Sequence, residues 1–208
     1  MNKNLVVIAL ASLLIMGGSY VSAFDSEAEI NATINGQDSL YTAYFGQPIN
    51  EIRANFAGAK GWTEAISPKN RKVSFARKNT EDEFLRTGIF GQKFYLTFIS
   101  NQGDTYSVTN FPNGDFVVKA YESNFYMGDR VKALSLFKRF YDSFTGKYGA
   151  ITLAAPVDTL RQGPNGTKWN SGYWKCDRFT CQLIITEHSE NYYNVRVIYQ
   201  QITAPSNF

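Results

Sequence analysis

The sequence is poor in the residues on which most site chemistry depends. Its 208 residues include one histidine, two cysteines and three methionines. A zinc site draws three or four ligands from His, Cys and carboxylates, so this supply argues against a zinc enzyme or a zinc-stapled fold. No G-x-S-x-G nucleophile turn occurs. The glycines form no phosphate cradle, since Gly103, Gly114, Gly163 and Gly166 each sit in turn composition. Asp104 and Asp115 do not repeat at a calcium-loop spacing. A net charge of +3 is too small to imply nucleic acid. No cofactor, no metal and no nucleic-acid partner is expected.

Long apolar runs are also scarce. The one present, Leu5 to Met16, is interrupted only by Ser12. It is shorter than the roughly 20 residues that span a bilayer. Lys3 precedes it, and small residues ending Val21-Ser22-Ala23 follow. That order of charge, apolar run and small residues is the signature of a secretory signal peptide, with cleavage expected after Ala23. Residues 1–23 are then a cleaved signal peptide, and 24–39, with Asp25, Glu27 and Glu29, a flexible leader. Residues 40–208 form a single domain, divisible into halves 40–127 and 128–208. The expected location is periplasmic or secreted, with no transmembrane helix after cleavage.

The rest of the chain reads as α+β. Pro48 suits a first helical turn, and Ile49, Ile52 and Phe56 share a helix face. Strand alternation follows at Lys72–Arg77, with Val73 and Phe75 on one side. Residues 93–121 read as a three-stranded meander: Lys93–Ser100, Thr105–Thr109 and a strand from Phe116, with Pro112-Asn113-Gly114-Asp115 as hairpin chemistry. Asp129 is a candidate N-cap. Val131, Leu134, Phe137, Tyr141, Phe144 and Tyr148 recur at spacings of three and four, widened by Leu136 and Phe140. They predict an amphipathic helix closed by Gly146 or Gly149. Strands at Lys168–Lys175, Cys181–Glu187 and Tyr192–Gln200 end the domain. The fold class is antiparallel sheet with two helices, and the order is compatible with a degenerate duplicated α-β-β-β unit.

Four groups of residues are candidates for a role. An even cysteine count in an exported chain favours a disulfide, here Cys176 to Cys181 across a hairpin whose loop is Asp177 to Thr180. Trp169, Tyr173, Trp174 and Phe179 crowd that hairpin as candidate binding aromatics. Tyr173 and Trp174 are adjacent on a strand and point to opposite faces, so one is exposed if either face is solvated. Lys69, Arg71, Lys72, Arg77 and Lys78 form a candidate basic patch for an anionic surface, next to the acids Glu81, Asp82 and Glu83. His188, alone in a turn-like Glu187-His188-Ser189-Glu190, reads as a surface group. The expected function is a non-enzymatic binding or scaffold domain of the cell envelope. Its partner is a protein in the envelope or extracellular space, or a glycan. The alternatives are a carboxylate-dependent hydrolase of cell-wall glycan and an anionic-surface binding protein.

Overall fold

The computed structural model describes residues 45–46, 48–56, 61–100 and 116–202. The signal peptide, the leader and the Thr105–Thr109 strand fall outside these residues. The described elements run α1 (Ile49–Phe56), β1 (Thr63–Ser67), β2 (Lys72–Lys78), α2 (Glu81–Thr87), β3 (Ile89–Ser100), β4 (Phe116–Met127), α3 (Arg130–Tyr148), β5 (Arg161–Gln162), β6 (Lys168–Lys175), β7 (Phe179–Ser189) and β8 (Tyr192–Gln201). A short 3-10 turn, Pro68–Asn70, joins β1 to β2. The fold is α+β, with one eight-stranded antiparallel sheet.

Strand order is β1-β2-β3-β4-β8-β7-β6-β5. Each half therefore steps inward from its own edge, and β4 meets β8 at the centre. Among the described residues, each half has a helix as its first element and four strands. The expected meander over 93–121 is corrected: β3 pairs directly with β4, Tyr95 opposite Glu122, leaving no place for a strand between them.

One face of the sheet carries the core. Val73, Phe75, Phe94, Leu96, Phe98, Tyr121, Phe125, Val195, Val197, Tyr199, Leu183, Ile185 and Trp174 are buried there. α1 covers β4 through the buried Ile49 and Ile52, and α3 lies across β4, β6, β7 and β8. Asp129 caps α3, its carboxylate accepting from the Lys132 N–H at 2.8 Å, and Gly149 ends it at φ 92°. The buried stripe of α3 is Ala133, Leu136, Phe137, Phe140 and Phe144. Val131, expected on that stripe, is 76% exposed. The helix is rotated so that Phe137, Phe140 and Phe144 share the centre of the stripe, where the large rings bury most area.

The helix α2 was not expected. Its signal is Thr80-x-x-Glu83: the Thr80 hydroxyl accepts from the Glu83 N–H while the Glu83 carboxylate accepts from the Thr80 N–H. This reciprocal box satisfies two end donors and starts a helix from residues that otherwise resemble a charged loop. Gly88 closes α2 at φ 74°, and Lys132 Nζ ties it to α3 by donating to the Leu85 carbonyl at 3.1 Å.

A second ordering device lies in β6. Asn170 is fully buried, and its amide nitrogen donates to the carbonyls of Ala155, Pro156 and Thr159 at 3.0–3.1 Å. Its amide oxygen accepts from the N–H groups of Ala155 and Ser171 at 3.1 and 2.8 Å. One side chain thus pins the segment from Ala150 to Leu160, which has no regular structure of its own, onto the sheet. No helix among the described residues is long and apolar enough to cross a membrane.

Candidate functional site

No described helix packs on the second face of the sheet. Pairing register places a continuous set of side chains there, because residues paired across strands share a face. One row runs Lys78, Gly91, Tyr126, Asn194, Thr186, Trp169, Arg161. The next runs Ala76, Lys93, Asn124, Arg196, Ile184, Ser171. A third carries Ser74, Tyr95, Glu122, Ile198, Gln182 and Tyr173, and a fourth ends in Lys72 and Lys175. Among the described residues, register gives this face the cations Lys72, Lys78, Lys93, Lys175, Arg161 and Arg196 and the carboxylate Glu122.

Two bulges modify this face at one end. The β3–β4 register shifts between Ile89 and Gly91, which makes Phe90 an extra residue. The β7–β8 register shifts between Glu187 and Ser189, which makes His188 another. A bulge re-aims a side chain that strict alternation would send to the opposite face. Phe90, on the core-side parity of Phe94, is re-aimed in this way; His188 keeps the parity of Thr186, and both rings join the same cluster. Phe90 lies 6.4 Å from Tyr126 and 5.7 Å from Tyr192, Tyr126 lies 6.1 Å from Tyr192, and the three ring planes agree within 28°. His188 packs on Tyr192 at 5.3 Å. In a column of three rings, the outer pair would be twice as far apart as neighbours. Three near-equal separations describe a triangle, so the rings form a platform rather than a column. Phe90 remains 37% exposed.

Polar groups flank the platform. Asn124, only 3% exposed, donates to Glu122 at 3.1 Å and accepts from the Asn194 amide at 2.9 Å. The Arg196 guanidinium lies 3.6 Å from Glu122. The Asn194 amide oxygen is buried with no hydrogen-bond partner among the described residues. The Lys93 and Lys72 ammonium groups lie over the Tyr95 ring, 4.9 and 5.5 Å from its centroid. Burial, then the neighbouring Tyr95 and Tyr192, pushes the Tyr126 phenol up to about 12.

The residues singled out from sequence divide between the two faces. Trp169 and Tyr173 are on the helix-free face, Tyr173 at 52% exposure. Trp174 and Phe179 are corrected from binding candidates to core. Trp174 is 1% exposed and donates its indole N–H to the Gly149 carbonyl at 2.9 Å. Phe179 is buried against Tyr148 and Tyr199. The basic patch also splits. β2 alternation sends Lys72 and Lys78 to the helix-free face but Arg77 to the helix side, where it is ion-paired with Glu83. Lys69 lies in the 3-10 turn, and Arg71 takes a left-handed backbone at φ 50° after it. His188 is exposed, as expected.

The hairpin register changes the cysteine geometry. Trp174, not Cys176, stands opposite Cys181, and Lys175 stands opposite Thr180. The Cys176 N–H donates to the Phe179 carbonyl at 2.9 Å, so the chain reverses at Asp177-Arg178. The loop is two residues, not four. Cys176 and Cys181 share a face but are diagonal, a relation that separates Cα atoms by about 7–8 Å. Disulfides need less than about 7 Å, and the structure holds none between them.

The platform escaped the sequence reading because its rings come from three strands, one of them at a bulge. Phe90 sits at a bulge, where local alternation assigns the wrong face. Among the described residues no group of three or more His, Cys, Asp or Glu is placed to hold a metal. Comparison with family models, with curated proteins and with solved structures finds no match for the chain.

Proposed function

We propose that the protein is an exported, non-enzymatic binding domain of the cell envelope that receives its partner on the helix-free face of the sheet. The observation that carries this is the Phe90–Tyr126–Tyr192 platform, to which two separate bulges each contribute or add a ring. Exposed rings on a rigid sheet are suited to act as anchors, because little conformational entropy is lost when they are covered. The surplus of cations on the same face favours an anionic partner. The signal-like first 23 residues support export.

The hydrolase alternative has less behind it. A glycosidase pair needs two carboxylates facing one another across the cleaved bond, and Glu122 is the single carboxylate that register places on this face among the described residues. Glu83 is occupied with Arg77 and Thr80.

Immobilised protein, residues 24–208, tests the reading against native envelope extract. A Tyr126→Ser/Tyr192→Ser variant should lose retained material. Val131→Ser, exposed on the helix side, should retain it. Equal retention by all three would overturn the use of this face. Export is tested separately by N-terminal sequencing of the protein recovered outside the cytoplasm, where Phe24 is the expected first residue.

A further inference from the structure

We infer that the partner of the helix-free face is an acidic polysaccharide lying across the strands; this rests on the reading of that face as the binding surface. Three features point to it. First, the face has two aromatic stations. The row that contains Tyr126 also contains Trp169 on β6, three strand spacings away, or about 14 Å. Two stations at that distance suit an extended chain with repeated rings better than one small molecule.

Second, the cations bracket the stations. Lys78 and Lys93 lie beside the Phe90–Tyr126–Tyr192 end, Arg196 lies between, and Arg161 pairs beside Trp169. A polymer with an acidic group on many of its rings meets a cation at each aromatic station. A neutral glycan would leave those charges unanswered.

Third, the centre of the face holds a carboxylate acceptor. Glu122 accepts from Asn124 and lies 3.6 Å from Arg196, and an ionised carboxylate keeps lone pairs for further donors. Sugar hydroxyls donate to such groups. A phosphate backbone brings Glu122 repulsion and no donor, whereas an acidic sugar ring brings a like charge but also hydroxyls that can donate. This sets the polysaccharide above a single-stranded nucleic acid, which the aromatic and basic residues would otherwise suit.

The test measures binding of the folded protein to four probes at matched chain length and moderate salt: polygalacturonate, its fully methyl-esterified form, poly-glutamate and poly(dT). Polygalacturonate should bind, with affinity falling as salt rises. The esterified form and poly-glutamate should each bind about tenfold or more weakly, since each lacks one of the two recognised features. Phe90→Ala changes an exposed ring and keeps the fold. It should weaken polygalacturonate about tenfold without changing the salt slope, whereas Lys93→Gln/Arg196→Gln should flatten that slope. Poly-glutamate bound as tightly as polygalacturonate, with Phe90→Ala unchanged, would overturn the sugar assignment but leave a charged binding face. Preference for poly(dT) would overturn it in favour of nucleic acid. If no probe binds while envelope material is still lost by the Tyr126→Ser/Tyr192→Ser variant, the polysaccharide is wrong and the face is right. If that variant retains everything, both fail.

Discussion

Removing the Asn170 side chain should unpin the segment before β5, and the size of the effect follows from its hydrogen bonds. Three carbonyls accept from the amide nitrogen and two N–H groups donate to the amide oxygen, in a fully buried site. The amide orientation is forced, since carbonyls only accept and backbone N–H groups only donate. A net hydrogen bond contributes about 1 kcal/mol, and three carbonyls share two donor hydrogens. Asn170→Ala also leaves several backbone groups unsatisfied, so the loss is about 3–4 kcal/mol. In a chain of this size that corresponds to a fall in Tm of roughly 6–15 °C. Asn170→Asp keeps the shape but aims carboxylate oxygens at the carbonyls of Ala155, Pro156 and Thr159. It should be worse than Ala at neutral pH and should recover part of the difference in acid, where the carboxyl is protonated and can donate. Urea unfolding of the three proteins across pH decides it. A cost below about 1 kcal/mol for Asn170→Ala, or an Asp variant more stable than Ala at neutral pH, would show that the Asn170 amide does not hold this segment.

Three further outcomes are expected. Burial raises the Glu83 carboxyl, but the hydrogen bonds from Arg77 and Thr80 outweigh it, and its pKa is lowered from 4.5. The stabilisation is therefore complete above that ordinary value and is lost as pH falls through the lowered one. Glu83→Gln keeps the capping box but removes the charge. It should cost about 1 kcal/mol at neutral pH and converge with the parent in acid, as urea midpoints would show. The Tyr126 phenol, raised from 10.0 to about 12, favours folding below pH 10 and loses that contribution as pH rises towards 12. Tyr126→Phe should flatten the alkaline stability limb and remove one late-ionising phenol from the ultraviolet titration. Burial and then Asp177 push the Cys176 thiol up, while Cys181 is buried. Alkylation should be slow at Cys176, with a pH profile displaced upward, and should reach Cys181 only on unfolding. An intact mass lower by two hydrogens in the native protein would show that the turn shifts enough to close the pair.

Local pattern was enough for the class of fold and for much of its detail. The strand Lys168–Lys175, the Asp129 cap, the Gly149 stop and the inward set Tyr193, Val195, Val197 and Tyr199 all follow from alternation, helical spacing and end chemistry. These are short-range properties that neighbouring residues specify. The opposition of Tyr173 and Trp174 was likewise legible, but not which one faces solvent. That depended on where α3 lies, and Trp174 is the ring that meets Phe144 and Tyr141 beneath it.

The candidate site was decided at longer range. Tyr126 and Tyr192 become neighbours only because β4 and β8 are adjacent, a pairing between strands from different halves of the chain. Phe90 reaches the same face only because it is an extra residue against its partner strand. The hairpin register set the cysteines diagonal by the same kind of choice. A strand's own sequence fixes which residues alternate, since its period is two. Which strand lies beside it, and where one residue too many is accommodated, is settled by burying the apolar face under the helices. The surface left over on the other side is a consequence of that packing, and so is the site.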